Sequence, residues 1–216
     1  MTHLTPGIDT HHVRNTIIQN TTVSMQAGQP YYSYRSEGTK LRNVKVKNVS
    51  PVEIHYSEIG ASVDYTVDGF NCVIESVAPA PGVSCGLATD FGTGFFQFNN
   101  INLGASSSSQ LQCIYGGHDG IVTNYVAGYM RPNTPANNAA INYLGCYNIT
   151  IDSPRLTGGA GTGNFGIQMV SLTDAGSLQK GIASKNNLVL KPFVGTYPTQ
   201  TNMTSVSDLL VARPPR

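Results

Sequence analysis

Asn43-Val-Lys-Val-Lys-Asn48 is the stretch on which the reading of the fold turns: an asparagine followed by apolar residues at every second place. The phrase returns as Asn71-Cys-Val-Ile-Glu75, Asn100-Ile-Asn-Leu-Gly104, Asn148-Ile-Thr-Ile-Asp152 and Asn187-Leu-Val-Leu-Lys191, with weaker copies from Asn15 and Asn124. Successive asparagines stand 28, 28, 29, 24, 24 and 39 residues apart. A recurrence at that period marks a repeat architecture.

If each repeat is one coil, equivalent positions stack. The residue after each asparagine then forms the row Thr16, Val44, Cys72, Ile101, Tyr125, Ile149, Leu188, and the residue two places on forms Ile18, Val46, Ile74, Leu103, Ala127, Ile151, Leu190. Both rows point inward and the row between them points out, as a strand of period 2 requires. Parallel strands joined without helical stretches cannot form a doubly wound sheet, which needs a helical crossover of a dozen or more residues. A solenoid of strands meets the constraint, with an irregular β-sandwich as its structural rival. Asparagine suits its corners, because it tolerates left-handed backbone angles and its carboxamide can bond the next one in a ladder.

The 216 residues carry a net charge of +1 and 12% charged residues, with 23 glycines and no tryptophan. That is one domain's worth of chain, its composition favouring strands and turns over helices. No basic run offers a footprint for nucleic acid, and no apolar stretch is long enough to span a membrane. Residues 1–14 read as a polar N-terminal arm, 15–195 as the solenoid and 196–216 as an extended tail. The arm lacks the apolar core of a signal peptide, so the expectation is a protein that works in the producing cell or leaves it by lysis. Its histidines, His3, His11 and His12, have no partners at ligand spacing, and no metal or other cofactor is expected. The four cysteines show no paired spacing and are read as buried free thiols.

Several stretches are candidates for contact or chemistry. Tyr31, Tyr32 and Tyr34, on a connection between coils, are suited to stack on sugar rings, to anchor a neighbouring protein or to cap the open end of the solenoid. Ile17, Val73, Val126 and Val189 form a partly apolar outward row of the kind that marks an interface. Lys47 and Glu75 are expected to face each other on adjacent coils, and Ile54, Val63, Tyr65 and Val67 to point inward. His118 beside Asp119 in a glycine-rich turn has the composition of an acid–base element, although neighbours on a strand point opposite ways. Among the acids, Asp90 and Asp119 are the pair that adjacent coils could bring within the roughly 5–9.5 Å that glycoside hydrolysis needs.

The stacked asparagine phrase, the absence of helix and the low-charge Gly/Asn/Ser/Thr composition resemble right-handed, single-stranded parallel β-helices, among them pectate-lyase-like enzymes and bacteriophage tailspikes. The resemblance covers about residues 15–195, here about seven coils. It implies a homotrimer, a place in a virion assembled in the host cytoplasm, and neighbours that are other virion proteins or bacterial surface polysaccharide. With no strong catalytic constellation in the chain, a structural appendage or capsid-decorating protein is the expectation, and a polysaccharide depolymerase the alternative.

Overall fold

The computed structural model describes residues 7–25, 29–48, 57–74, 85–103, 109–127, 138–156, 164–170, 184–194, 201–203 and 209–211. Within them the protein is an all-β parallel solenoid, with no helix. The chain alternates between two sheets. The first runs, in chain order, through Ile8–His11, Tyr31–Tyr34, Ser57–Gly60, Cys85–Asp90, Ser109–Ile114, Asn138–Leu144, Asn164–Val170 and Thr201–Met203. The second runs from Ile17–Met25 through Lys40–Asn48, Thr66–Ile74, Gln97–Asn102, His118–Ala127, Tyr147–Asp152 and Leu188–Leu190 to Leu209–Val211, with Arg155–Leu156 and Phe193–Val194 alongside. Every neighbouring pair is parallel, as for Val44 on Phe70 and Phe70 on Ile101. Each sheet path holds eight strands, where the sequence suggested about seven coils. Strands also occur at Ile8–His11, in the expected arm, and at Thr201–Met203 and Leu209–Val211, in the expected tail.

Left-handed residues set the geometry of each coil. Apart from Gly92 and Gly116, all the described residues of positive φ fall into three columns. One column, just past the first sheet, is His12, Arg35, Ala61, Phe91, Tyr115 and Gly145. The next, just before the second sheet, is Asn15, Gly38, Asp64, Phe95, Asp119, Asn148 and Asn186. The third, inside the second sheet or at its strand ends, is Asn20, Asn43, Gly69, Asn100, Asn124, Ser153 and Lys191. From the second column to the third the spacing is five residues in every coil. Between the first and second it is three, or four where Gly92 or Gly116 adds a further left-handed residue.

These columns correct the register read from the sequence. Asn43, Asn100 and Asn124 belong to the third column, Asn15 and Asn148 to the second, and Asn71 to neither, since it lies beside Lys45 and Asn102. Asn187 points inward and is 1% exposed; its neighbour Asn186 occupies the column. Both columns are followed by an inward, outward, inward sequence, so a single phrase matched two different corners. The true inner rows are Leu41, Val67, Phe98, Val122, Ile151, Val189 and Val44, Phe70, Ile101, Tyr125, all buried. Val46 stacks on Cys72, not on Ile151, although both lie in the second sheet. In the third column the left-handed residue shifts the in–out parity by one, as a β-bulge does.

The same register moves other expected neighbours. Lys47 lies beside Val73; Glu75 and Ile54 are outside the described residues. Tyr65 and Val67 are fully buried, but Val63 faces solvent at 38% exposure. Val189 is fully buried while Ile17, Val73 and Val126 pair with Lys40, Lys47 and Asn102, so no continuous outward apolar row exists among them.

The cysteines also depart from expectation. Cys113 and Cys146 form a disulfide across 33 residues with Cα atoms 6.3 Å apart, Cys72 is disulfide-bonded too, and no free cysteine occurs among the described residues. Inward positions on adjacent strands and corners bring distant thiols within bonding range, which sequence spacing cannot reveal. Closing a loop of that length stabilises the fold by about 3–4 kcal/mol on a chain-entropy view. A Cys113→Ser/Cys146→Ser double variant is expected to lower the melting temperature by about 6–16 °C in calorimetry at this chain length, and full reduction, which also opens the Cys72 bond, by more. In the second sheet, Asn124→Val removes both the left-handed tolerance and the carboxamide bond to Asn100 Oδ1 (3.1 Å). Its expected cost is about 1–2 kcal/mol, read as a lower urea midpoint at unchanged slope.

Candidate binding surface

The outward face of the first sheet begins with Tyr32 and Tyr34, two residues apart on one strand and so on one side of the sheet. Their rings lie parallel, 5° apart with centroids at 6.4 Å. His11, in register with Tyr34 on the preceding strand, packs against both at 5.2 and 5.9 Å, and the Arg35 guanidinium sits 5.1 Å over Tyr34. Tyr31 points the other way. It is 1% exposed, and its hydroxyl bonds Thr10 at 2.9 Å and that of Tyr65, a buried chain of hydroxyls inside the core. Of the three tyrosines singled out, two therefore reach the surface, and they do so from a strand.

The aromatic surface continues along the corner. Gly60, next to Tyr34 in register, leaves no side chain between Tyr34 and Phe91, whose rings pass 3.2 and 3.5 Å from where its Cβ would stand. Phe91 stacks on Tyr115 at 5.7 Å, Phe95 meets the His118 ring edge-on at 5.7 Å, and His118 stacks on Tyr147 at 5.2 Å. Lys185 caps the run with its ammonium 5.6 Å over the Tyr147 ring. Phe91 and Phe95 are 45% and 57% exposed, and both hold left-handed backbone, with φ of 49° and 54°. Other coils place Asn, Asp or Gly in the column that Phe95 occupies. A bulky residue there costs about 1–2 kcal/mol, and such strain at an exposed apolar side chain points to a contact surface.

Two acids lie on the same sheet face as the tyrosines. Glu58, beside Tyr32, accepts a hydrogen bond from Gln29 Nε2 at 2.6 Å, and its burial raises the carboxyl above the usual range. Asp90 stands beside Gly60 and is 6% exposed. Burial raises it to about 7, against the Phe91 N–H that donates to its Oδ1 at 2.6 Å, and the Glu58 charge adds to the rise. Asp119 is elsewhere, in the second column beside the second sheet, so the structure does not pair it with Asp90. Its carboxylate is held low by the His118 ring, 2.8 Å from Oδ2, with a further bond from Asn148 Nδ2 to Oδ1 at 3.1 Å. His118 and Asp119 do touch, because the left-handed turn at Asp119 overrides the alternation of a strand. Sequence reasoning passed over Glu58, Phe91 and Phe95. Glu58 was findable as an outward residue level with Tyr32; the two phenylalanines carried no signal, since nothing about Phe marks left-handed backbone.

No group of histidine, cysteine, aspartate and glutamate able to hold a metal occurs among the described residues. Comparison with protein-family models, curated proteins and solved structures finds no match.

Phe95→Asn relieves about 1–2 kcal/mol of backbone strain but gives up the edge-on pair with His118, worth about 0.5–1.5 kcal/mol, so its melting temperature is expected to stay within about 2–4 °C of wild type in calorimetry. Asp90 gives a pH signature. A carboxyl whose folded pKa lies above its unfolded value binds its proton more tightly in the native state, so its stabilising contribution is full below pH 4 and is lost as pH rises to 7. Asp90→Asn, which keeps an acceptor for the Phe91 N–H, should raise the melting temperature by several degrees at pH 8 and leave it unchanged near pH 4.

Proposed function

We propose that this chain is a structural component of a bacteriophage virion, a tailspike-like appendage or capsid-decorating protein, that associates as a homotrimer and contacts neighbouring virion proteins and host surface glycans. The observation that carries the reading is the aromatic corner. Phe91 and Phe95 stay exposed on strained backbone, and the other coils fill the column of Phe95 with Asn, Asp and Gly. Desolvating such a stripe against a second copy removes the apolar exposure, and aromatic side chains are the residues that interfaces enrich. The resemblance to phage β-helices rests on the parallel solenoid itself. In this reading the particle is assembled in the host cytoplasm, and the Cys113–Cys146 bond closes once the particle leaves that reducing compartment.

Light scattering at micromolar concentration should give three times the chain mass, and Phe91→Ser/Phe95→Ser should give the mass of one chain with the thermal transition retained. A monomeric wild-type protein would refute the assembly.

A second reading, a polysaccharide depolymerase, is favoured by one observation: Glu58 and Asp90 share the outward face of the first sheet with Tyr32 and Tyr34, and burial raises both carboxyls. A carboxyl titrating near 7 is suited to act as a general acid and the tyrosines to hold a sugar ring. Loss of capsular-polysaccharide viscosity on adding wild-type protein, abolished in Asp90→Asn, would establish it; unchanged viscosity across host polysaccharides would remove it.

A further inference from the structure

The outward face of the first sheet carries two carboxyls with no cation beside them. Asp90 is 6% exposed; its Oδ1 accepts the Phe91 N–H at 2.6 Å, while Oδ2 makes no hydrogen bond among the described residues and is not sealed from solvent. Glu58, half-buried, has the neutral Gln29 amide as its partner. Glu58 lies beside Ala88 and Gly60 beside Asp90, so the two acids stand diagonally on neighbouring strands. Their Cα atoms are then about 7–8 Å apart, a spacing at which one small group reaches both carboxyls. Their field is felt nearby: burial raises the Tyr32 hydroxyl, and the charges of Glu58, Asp9 and Asp90 raise it further. Asp9 is answered by His11 at 3.0 Å, but among the described residues Glu58 and Asp90 have no ion pair.

Beside these acids the surface has a gap the size of a methyl group. Gly60 has no positive φ that would demand glycine, yet a Cβ there would stand 3.2 Å from Tyr34 Cδ2 and 3.5 Å from Phe91 Cδ2. Two rings thus wall a space that lies in register with Asp90 on one side and Tyr34 on the other. An ammonium has about the size of a methyl group, is drawn to aromatic rings and brings three donors to acceptors that lack them. Its charge would return the buried carboxyls to their ionised form. A metal ion is not served, because among the described residues no third ligand joins the two acids.

The accessible part of this face is small. Further along the row of Tyr32 and Glu58, Ala88, Asn142 and Gln168 are 4%, 8% and 4% exposed. What stays open spans about three strands, or about 10 Å, far less than the roughly 800 Å² per partner of a stable protein interface. That extent suits one or two sugar rings, for which Tyr32 and Tyr34 offer apolar surface.

We infer that this patch binds an amino sugar with a free ammonium, its nitrogen seated over Gly60 between Glu58 and Asp90 and its ring against Tyr32 and Tyr34. The inference rests on the glycan contact of the proposed function and names the class of glycan; it needs neither the trimer nor hydrolysis.

The test is isothermal titration of the intact protein at mildly acidic pH, where the amine carries its proton. The probes are a glucosamine tetramer, its fully N-acetylated counterpart and an acetylated, amidated lysine. The glucosamine tetramer should bind the wild type, and bind Asp90→Asn, Glu58→Gln and Gly60→Ala each about tenfold more weakly. The first two lose one charge-assisted contact, and the third fills the place of the ammonium. Asp90→Asn should melt no lower than wild type, so its loss of affinity is not a loss of fold. The N-acetylated tetramer and the lysine should each bind the wild type at least about tenfold more weakly than the glucosamine tetramer. Equal binding of the N-acetylated tetramer would overturn ammonium recognition and leave the glycan contact standing, and equal binding of the lysine would overturn the saccharide. No binding of the glucosamine tetramer at millimolar concentration, or wild-type affinity in Asp90→Asn, would overturn the inference as a whole. Light scattering and viscosity report the trimer and the depolymerase separately, so the site fails independently of either.

Discussion

A stack of parallel strands closes only if every coil turns at the same places, and here the turning points are single residues in left-handed conformation. Each such residue costs an ordinary side chain about 1–2 kcal/mol of backbone energy, less for Asn and Asp and nothing for Gly. Strand pairing on both sides outweighs that cost. At most corners the backbone N–H of the left-handed residue reaches the carbonyl of an adjacent coil, as Asn15 N reaches Glu37 O at 2.9 Å and Ala61 N reaches Asp90 O at 2.9 Å, while at Phe91 the next residue, Gly92, makes that bond to Tyr115 O at 3.0 Å. A coil that turned one residue late would leave those groups unmade in its neighbours as well as in itself. The constant five-residue step between the second and third columns is therefore a condition of stacking, whereas coil length is absorbed in the connections that lead back to the first sheet.

The interior follows from the same register. Between the first two columns the inward row reads Ser36, Ser62, Thr93, Gly117, Cys146, Ser184, all buried. A corner interior faces backbone carbonyls, so hydroxyls serve it: Ser36 Oγ donates to Thr10 O at 3.0 Å and Thr93 Oγ1 to Ile59 O at 2.8 Å. Gly117 departs from the hydroxyls because a Cβ there would collide with Cys113 Sγ, which bonds Cys146 in the next coil. Gly120 departs from the apolar row beside it for a like reason, since its Cβ would enter the Phe96 ring. Small residues thus sit next to large ones along the axis, and volume is conserved between coils instead of within them.

The alternation of apolar residues and the recurring asparagines were enough to identify a parallel solenoid, and they were legible because period-2 burial writes itself directly into sequence. Register was not. Asn43 and Asn148 are each followed by inward, outward and inward residues, yet they mark different corners, and no local feature distinguishes them. The column of His12, Arg35, Ala61, Phe91, Tyr115 and Gly145 escaped altogether, since only Gly145 and, more weakly, His12 are residue types enriched on left-handed backbone. Tyr31 and Tyr32 illustrate the same limit at the surface. A run of tyrosines reads as a loop, but on a strand its members divide between core and solvent. The disulfides were hidden because stacking, not sequence distance, decides which thiols meet.

Residue choice at the left-handed positions divides the molecule into two kinds of surface. Along the second and third columns, Asn20, Asn43, Asn100, Asn124, Asn148 and Asn186 combine low backbone cost with carboxamide bonds to the next coil, so these edges serve stability. Along the first column, and at Phe95 in the second, aromatic and cationic side chains take the same conformation with no carboxamide bond in return. Their rings instead pair with each other across coils, Phe91 with Tyr115 and His118 with Phe95 and Tyr147, which recovers about 0.5–1.5 kcal/mol per pair. That recovery is of the same size as the strain and leaves no surplus to account for half-exposed phenylalanines. In the proposed assembly, covering the rings would add about 25 cal/mol for each Å² of apolar surface removed from water. The same accounting makes Gly69 an exception among the asparagines of its column, because there the carboxamide ladder lacks a rung between Asn43 and Asn100 and Asn100 Nδ2 donates to Asp68 Oδ1 instead.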